Sequence, residues 1–196
     1  PTTYYFIGEC YEQLKRFEDA LINYNKCVKL DPANADAWLG IGVVLDGLNR
    51  LTESVHYVKK AIEINPNEAE YWYVFAEVQQ KLGFIEESAL AYERVIELEY
   101  NEVDVWIDFS TMLHQAGYLK EANEALMQGI KRFPDSAELI YRIGVVLLDL
   151  ANTKAAMEYF SIALDMDFQK HEIIFEYAPN LINNTELNHL ISIYKK

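Results

Sequence analysis

Apolar residues recur every three or four positions along almost the whole chain, and this spacing predicts amphipathic helices rather than strands. The arrangement of large and small residues then returns with a period of 34 residues, marked by Trp38, Trp72 and Trp106. Tyr4 and Ile140 occupy the equivalent positions one period before and one period after. A fixed period of this length predicts stacked helix pairs that bury their apolar faces against their neighbours.

Small residues recur at one position in each predicted helix. On the first helix of each pair these are Gly8, Gly42, Ala76, Ser110 and Gly144. On the second helix they are Ala20, Ser54, Ser88, Ala122 and Ala156. A glycine inside a helix costs about 0.5–1 kcal/mol relative to alanine, so we expect close helix packing at these positions to offset that cost.

Polar residues open each new repeat. We expect Asn34, Asn67, Asn101 and Asp135 to cap the first helices, because their side chains can accept hydrogen bonds from free backbone N–H groups. Acidic residues follow in the first turn, where the helix dipole favours negative charge. They are Asp36, Glu70, Asp104 and Glu138.

The order of these features within one repeat is specific. The second repeat reads Trp38, Ile41, Gly42, Leu45, Ser54, Val58, Ala61 and Pro66. This pattern resembles the tetratricopeptide repeat (TPR) family, of the generic bacterial type. The resemblance implies an all-α fold, a right-handed α-solenoid of about five antiparallel helix pairs. The repeats would be residues 1–34, 35–68, 69–102, 103–136 and 137–168.

The C-terminal segment, residues 169–196, breaks the repeat. His171 to Tyr177 begins like a sixth first helix, and Pro179 should end it because proline cannot continue a helix interior. A second helix should follow, capped near Thr185. We interpret this segment as capping helices. Pro1 falls almost inside the first helix, so we expect further repeats or another domain to precede it in a longer protein.

Composition narrows the class of partner. The 196 residues carry a formal net charge of −14. This charge argues against binding to nucleic acid or to an anionic membrane, and it favours basic partners. There is no apolar run long enough to cross a membrane and no signal peptide, so we expect a cytoplasmic protein. Cys10 and Cys27 fall at inward positions and are expected to be buried free thiols.

Chemistry-bearing motifs are missing from the sequence. It has no glycine-rich phosphate loop, no CxxC pair and no second histidine to complete a zinc helix around His171. Asp165-Met166-Asp167 lacks the glycine and distal glutamate of a calcium loop. We therefore predict no enzyme, no catalytic residues, no cofactor and no metal.

The resemblance places a ligand-binding groove on the first helices of the repeats. Aromatic and aliphatic anchors and charged side chains are expected to line it, and exposed aromatics bury a large area on binding. The anchors are Tyr5, Phe6, Leu39, Tyr73 and Tyr141. The acids are Glu9, Glu12, Asp46, Glu77, Asp108 and Asp149, set against Lys81 and Arg142, with His114 beside them. The pattern predicts a ligand peptide or helix with basic and apolar residues, although the acids could instead serve only solubility.

Two better-known TPR ligand patterns are missing. The carboxylate clamp of chaperone adaptors would need basic and amide residues where this chain has Tyr5, Glu9, Gly40, Glu70 and Val74. The asparagine ladder of glycosyltransferase superhelices would fall on Phe6, Gly40, Val74, Asp108 and Arg142.

The function predicted is therefore a non-enzymatic protein-interaction scaffold. Two alternatives stay open: a regulatory or recruiting domain of a larger enzyme or sensor, and a self-assembly module. The latter would use apolar residues at the N-terminal edge, namely Tyr4, Tyr5, Phe6, Cys10 and Tyr11. Trp72 is expected to be core, so that Trp72→Ala would cost about 3–5 kcal/mol.

Overall fold

The computed structural model describes residues 1–195, which form helices, turns and loops and no strand. The first ten helices are α1 (Thr2–Gln13), α2 (Phe17–Leu30), α3 (Ala35–Gly47), α4 (Leu51–Ile64), α5 (Ala69–Leu82), α6 (Ile85–Glu97), α7 (Val103–Gln115), α8 (Leu119–Arg132), α9 (Ala137–Asp149) and α10 (Thr153–Met166). Two shorter helices follow, α11 (Ile173–Tyr177) and α12 (Thr185–Tyr194). The all-α prediction is confirmed.

The helices form two compact units. Unit 1, Pro1–Asn101, contains α1 to α6, and unit 2, from Glu102 onward, contains α7 to α12. Within each unit a helix packs chiefly against the next helix along the chain, and the first helices of successive repeats also touch, as α3 touches α5 and α7 touches α9. These neighbour contacts place equivalent positions of successive first helices side by side.

The small residues lie where the sequence predicts close packing. Gly8, Gly42 and Gly144 are buried, and an added Cβ at Gly8 would lie 2.6 Å from the Tyr24 ring. At Gly42 it would lie 2.6 Å from Val58, and at Gly144 2.5 Å from Phe160. The partner is each time the residue 16 positions later, on the second helix of the same pair. Glycine is therefore needed here for space, because Cβ atoms do not approach side-chain carbons so closely.

The turn inside each helix pair has a feature that the sequence pattern did not reveal. In each of these turns one residue takes a left-handed conformation: Lys15, Asn49, Gly83, Gly117 and Ala151 have φ of 55°, 59°, 83°, 85° and 58°. These residues are spaced by one repeat length, but only two are glycine. Glycine alone adopts this conformation without a steric penalty, so the remaining turns are strained.

Only one predicted helix cap is correct. The side chain of Asn34 accepts from the N–H of Ala37 at 2.8 Å. The caps of α5, α7 and α9 are Glu68, Glu102 and Ser136, rather than Asn67, Asn101 and Asp135. The prediction chose the best capping residue type, whereas the backbone keeps the repeat period and begins each helix one position later.

The C-terminal segment follows the prediction and adds detail. α11 ends before Pro179, and short 3-10 turns flank it at Phe168–Glu172 and Pro179–Asn183. α12 begins at Thr185 and is capped by Asn184, whose side chain accepts from the N–H of Leu187. Ile174, Ala178 and Leu181 are buried. They occupy the positions of Ile140, Gly144 and Leu147 one period earlier, so the segment keeps the core of a repeat although Pro179 interrupts its helix.

Two burial predictions are wrong. Cys27 is buried but Cys10 is exposed, because α1 packs only against α2 and α3 and leaves the Cys10 side uncovered. Trp72 is only half-buried. Its indole N–H donates to the carbonyl of Pro66 at 2.9 Å, as Trp38 does to Pro32. Trp38 and Trp72 therefore stabilise the turns at Pro32 and Pro66, at the edge of the core. Trp106, in contrast, is 8% exposed and belongs to the core.

Candidate functional site

The first helices of unit 1 surround a pocket of about 140 Å³. Four carboxylates converge on it from α1, α3 and α5, namely Glu9, Glu12, Asp36 and Glu70. The remaining lining residues are Tyr5, Gln13, Tyr24, Leu39, Gly40 and Val43. We call this the acidic pocket.

Tyrosine hydroxyls hold the carboxylates in place. Tyr5 donates to Glu9 Oε1 at 2.9 Å, and Tyr24 donates to Glu12 Oε2 at 2.6 Å. Tyr71 on α5 donates to Asp36 on α3. Each carboxylate keeps further acceptor capacity, since an ionised carboxylate can accept about four hydrogen bonds. The tyrosines therefore orient these acids without neutralising them.

Burial raises the pKa of Glu12, and the negative charges of Glu9 and Glu70 raise it further against the opposing hydrogen bond from Tyr24. Burial also raises the pKa of Glu70, with added repulsion from Glu68 and Asp36. Among the described residues that line the acidic pocket there is no lysine, arginine or histidine. The pocket is thus a crowded, partly desolvated cluster of negative charge, whose carboxylates a bound cation would stabilise in their ionised form.

Two glycines allow the pocket to form. The Tyr24 ring comes from α2, and a Cβ at Gly40 would lie 2.5 Å from its Cζ atom. Gly8 on α1 makes the same kind of approach on the other part of the ring. The Tyr24 hydroxyl reaches Glu12 because both first helices lack a side chain where the ring passes between them. Any larger residue at position 40 would displace the ring and the carboxylate that it holds.

The remaining predicted charges of unit 1 are arranged differently. Lys81 Nζ lies 2.5 Å from Asp46 Oδ2, so these two charges compensate each other across α3 and α5.

Among the predicted aromatic anchors of unit 1, Phe6 is 56% exposed, as an anchor should be. Tyr73 is half-buried and packs against Tyr92 and Tyr100, with ring centroids 6.0 and 6.3 Å away. Glu77, also on α5, is half-buried.

In unit 2 the predicted charges form pairs rather than an acidic surface. Arg142 donates to Glu138 at 2.9 Å and to the hydroxyl of Thr111 at 2.8 Å. His114 Nε2 lies 2.6 Å from Asp149 Oδ2. These contacts join α7 to α9. Asp108 lies on α7 and is half-buried.

An aromatic side chain from the C-terminal segment covers these pairs. The Arg142 guanidinium carbon lies 4.6 Å from the centre of the Tyr177 ring, and the ring centroids of His114 and Tyr177 are 5.0 Å apart. We call Thr111, His114, Glu138 and Arg142 the α7–α9 clamp. A cavity of about 440 Å³ opens beside it, lined by Thr111, Glu138, Arg142, Ile173, Glu176 and Tyr177.

Two of the predicted anchors are buried in the core. Tyr141 is fully buried and its hydroxyl donates to the carbonyl of Asp167 at 2.9 Å, so it is not an exposed anchor. Its side chain points into unit 2 because the segment after α10 packs over α9. Leu39 is 7% exposed and contributes only to the wall of the acidic pocket.

Sequence reasoning missed residues of both sites. Asp36, Glu70 and Glu138 lie in first turns, where the helix dipole alone explains an acid, so the sequence prediction leaves them out of the groove. Their shared position in successive repeats was the available signal, since equivalent positions of neighbouring first helices meet in space. Tyr24 and Tyr177 carried no signal, because an aromatic on an apolar helix face predicts core packing.

Among residues 1–195 no three or more His, Cys, Asp or Glu side chains are grouped so that they could hold a metal ion. Over the same residues there is no helix with the length and apolar character of a membrane span.

Comparison with known families matches three parts of the chain. The tetratricopeptide repeat models match residues 1–34 and 137–170, and the PRP39 N-terminal HAT repeat model matches residues 22–137. No curated protein matches the chain in a sequence search.

Solved structures share the fold. A crystal structure of MamA superposes with a TM-score of 0.76 at 22% identity, covering 87% of this chain and 93% of that one. MamA residues 41 to end from Desulfovibrio magneticus RS-1 gives 0.75 at 15% identity, with 86% and 96% covered. YrrB, described as a TPR protein with an unusual peptide-binding site, gives 0.72 at 24% identity, with 88% and 89% covered. The three repeat models together span residues 1–170 and show that the chain belongs to the tetratricopeptide repeat family.

Proposed function

We propose that this protein is a protein-interaction module that binds a basic and apolar peptide at the acidic pocket of unit 1. The fold places it among proteins that generally act as interaction modules rather than catalysts. The acidic pocket carries the proposal: four carboxylates meet there without a basic side chain among the lining residues. A lysine or arginine from a partner would supply the missing charge.

Apolar residues beside the acidic pocket suit the rest of such a ligand. Phe6 is more than half exposed on α1, and Leu39 and Val43 contribute apolar wall to the pocket. A peptide with a cationic side chain next to an aliphatic or aromatic one would match both features. The solved structure of YrrB, whose described feature is a peptide-binding site, is consistent with this kind of ligand on this fold.

The test is a titration with fluorescent peptides in which lysine or arginine is flanked by leucine. The double variant Glu12→Gln/Glu70→Gln should lose about tenfold or more in affinity, because it removes charge-assisted contacts. Glu87→Gln/Glu93→Gln is the matched control, since it makes the same charge change at exposed positions on α6. An equal loss in the control, or a preference for acidic peptides, would contradict the proposal.

A second candidate function is self-association through α1. Phe6, Ile7 and Leu14 are 56%, 38% and 68% exposed, and Cys10 is exposed between them. Exposed apolar side chains clustered on one helix often mark an association surface. Ile7→Lys/Leu14→Lys should then lower the average mass measured by sedimentation at high protein concentration. A mass that stays monomeric at every concentration in the unmodified chain would exclude this function.

A further inference from the structure

Tyr177 lies on a site that residues of α7 and α9 form without it. Arg142 is held by Glu138 and Thr111, and His114 is held by Asp149, through contacts that involve only α7 and α9. None of these three contacts includes α11. The α7–α9 clamp therefore keeps its shape whether or not an aromatic ring lies on it, which is the property expected of a preorganised binding site.

The chemistry of the α7–α9 clamp suits an aromatic ring. The guanidinium of Arg142 lies 4.6 Å from the ring centre of Tyr177, within the range of cation–π attraction. The His114 ring is tilted at 37° to the same ring at 5.0 Å. Arg142 is the better partner because its planar group can stack on an aromatic face. Both groups belong to the first-helix positions that the sequence predicts for a groove.

The Tyr177 hydroxyl fits the site poorly. It is buried and makes no hydrogen bond within the described part of the chain. Thr111 and Arg142 lie near enough to lower its pKa, but burial dominates and raises the pKa to about 12. A buried hydroxyl without a partner carries a desolvation penalty, so Tyr177 is a weaker occupant than its ring contacts alone would make it.

The segment that presents Tyr177 is short and interrupted, although Ile174, Ala178 and Leu181 anchor it in unit 2. α11 has five residues and lies between two 3-10 turns, and Pro179 prevents its extension. Ile174 is fully buried, whereas Ile173 is half-buried and Glu176 is exposed. A helix of five residues has few backbone hydrogen bonds to break, so α11 can leave the clamp at a smaller cost than any long helix.

We propose that the α7–α9 clamp is a second binding site, for an aromatic side chain of a partner peptide, and that Tyr177 occupies it in the free chain. The partner would place a phenylalanine or tyrosine over Arg142 and displace α11. Thr111, Glu138 and Arg142, which now face α11 across a cavity of about 440 Å³, would then face the residues flanking the aromatic one. This site lies wholly within unit 2 and does not depend on the acidic pocket of unit 1.

The probe is a fluorescent peptide with the sequence of residues 171–183, titrated into the full chain. Tyr177→Ala should bind it about tenfold tighter than the unmodified chain, because the competing internal ring is gone. Tyr177→Phe should bind it more weakly than the unmodified chain, since phenylalanine keeps the ring contacts and removes the unpaired hydroxyl. A probe with alanine in place of its tyrosine should not bind.

Two further variants keep the test decisive. Arg142→Met in the Tyr177→Ala background should abolish the gain in affinity, whereas Lys154→Met, which changes an exposed residue of α10, should leave the gain unchanged.

Equal probe binding by Tyr177→Ala and the unmodified chain would overturn the proposal. Circular dichroism checks that Tyr177→Ala is folded. If it is unfolded, equal binding of the probe to Tyr177→Phe and to the unmodified chain overturns the proposal. A Tyr177→Ala chain that dimerises and excludes the probe would assign the clamp to a second copy and overturn it too.

Discussion

Glu12 and Glu53 show how one residue type takes opposite roles in this fold. Burial and the charges of Glu9 and Glu70 raise the pKa of Glu12. The hydrogen bond from Arg50 lowers the pKa of Glu53, which lies on the surface of α4. Surroundings that only the fold creates therefore decide whether a carboxylate stabilises the protein or destabilises it at neutral pH.

The raised pKa of Glu12 leads to a prediction about pH. The folded state holds this proton more tightly than the unfolded chain, whose value is near 4.5. The stabilisation is complete below the unfolded pKa and is lost as pH rises through the folded pKa. Glu12→Gln should therefore raise the free energy of unfolding at pH 7 and have little effect at pH 4, as measured by urea denaturation. Glu53→Gln is the control and should lower stability at pH 7.

The tryptophans give a second prediction at the scale of single residues. Trp106→Ala should cost about 3–5 kcal/mol of unfolding free energy, because it removes a large buried side chain. Trp72→Ala should cost clearly less, because Trp72 is half-buried and mainly holds the Pro66 turn. Denaturant titration of both variants compares them directly. Equal losses would show that half-buried Trp72 contributes as much to the free energy of unfolding as buried Trp106 does.

At the scale of elements, the helix pairs depend on a turn whose conformation repeats although its residue type does not. Ala151 joins α9 to α10 with φ of 58°, and Gly117 joins α7 to α8 with φ of 85°. An L-residue in this conformation costs about 1–2 kcal/mol. The core contacts of the flanking helices, including Gly144 with Phe160, fix the turn despite this cost.

The strain in this turn predicts that replacing Ala151 by glycine would stabilise the protein. Ala151→Gly should raise the free energy of unfolding by about 1 kcal/mol, which is the relief of strain less the added freedom of the unfolded chain. Gly117→Ala is the converse change and should lower it by a similar amount. Thermal melts of the two variants would move in opposite directions. A loss of stability in Ala151→Gly would mean that the turn is not strained.

At the scale of the whole molecule, charge governs which partners approach. The net charge of −14 attracts cationic peptides from a distance, and salt screens this attraction with a Debye length of about 10 Å at 0.1 M. Binding of a lysine-rich peptide should therefore weaken as salt rises from 0.05 to about 0.5 M in isothermal titration. The aromatic probe of the α7–α9 clamp should show a much smaller dependence. Salt-independent binding of the lysine peptide would argue against the acidic pocket.

The helices, their pairing and the family follow from the amino-acid sequence alone. The period of 34 residues is a local pattern of large and small side chains, and each repeat buries its apolar face against its neighbours in the chain. The same pattern correctly predicts close helix packing at Gly8, Gly42 and Gly144. The cytoplasmic location and the choice between a scaffold and a domain of a larger enzyme stay predictions.

Which charged side chains meet depends instead on how the helices pack in three dimensions. Asp46 and Lys81, or His114 and Asp149, lie 35 residues apart in sequence and within hydrogen-bond distance in space. Within unit 1, Glu9, Glu12, Asp36 and Glu70 converge on a pocket lined without a basic side chain. Side-chain pairing depends on rotamers and packing across helices, which a repeat pattern does not encode. The same is true of Tyr177, whose place on the α7–α9 clamp follows from how the interrupted last repeat folds over α9.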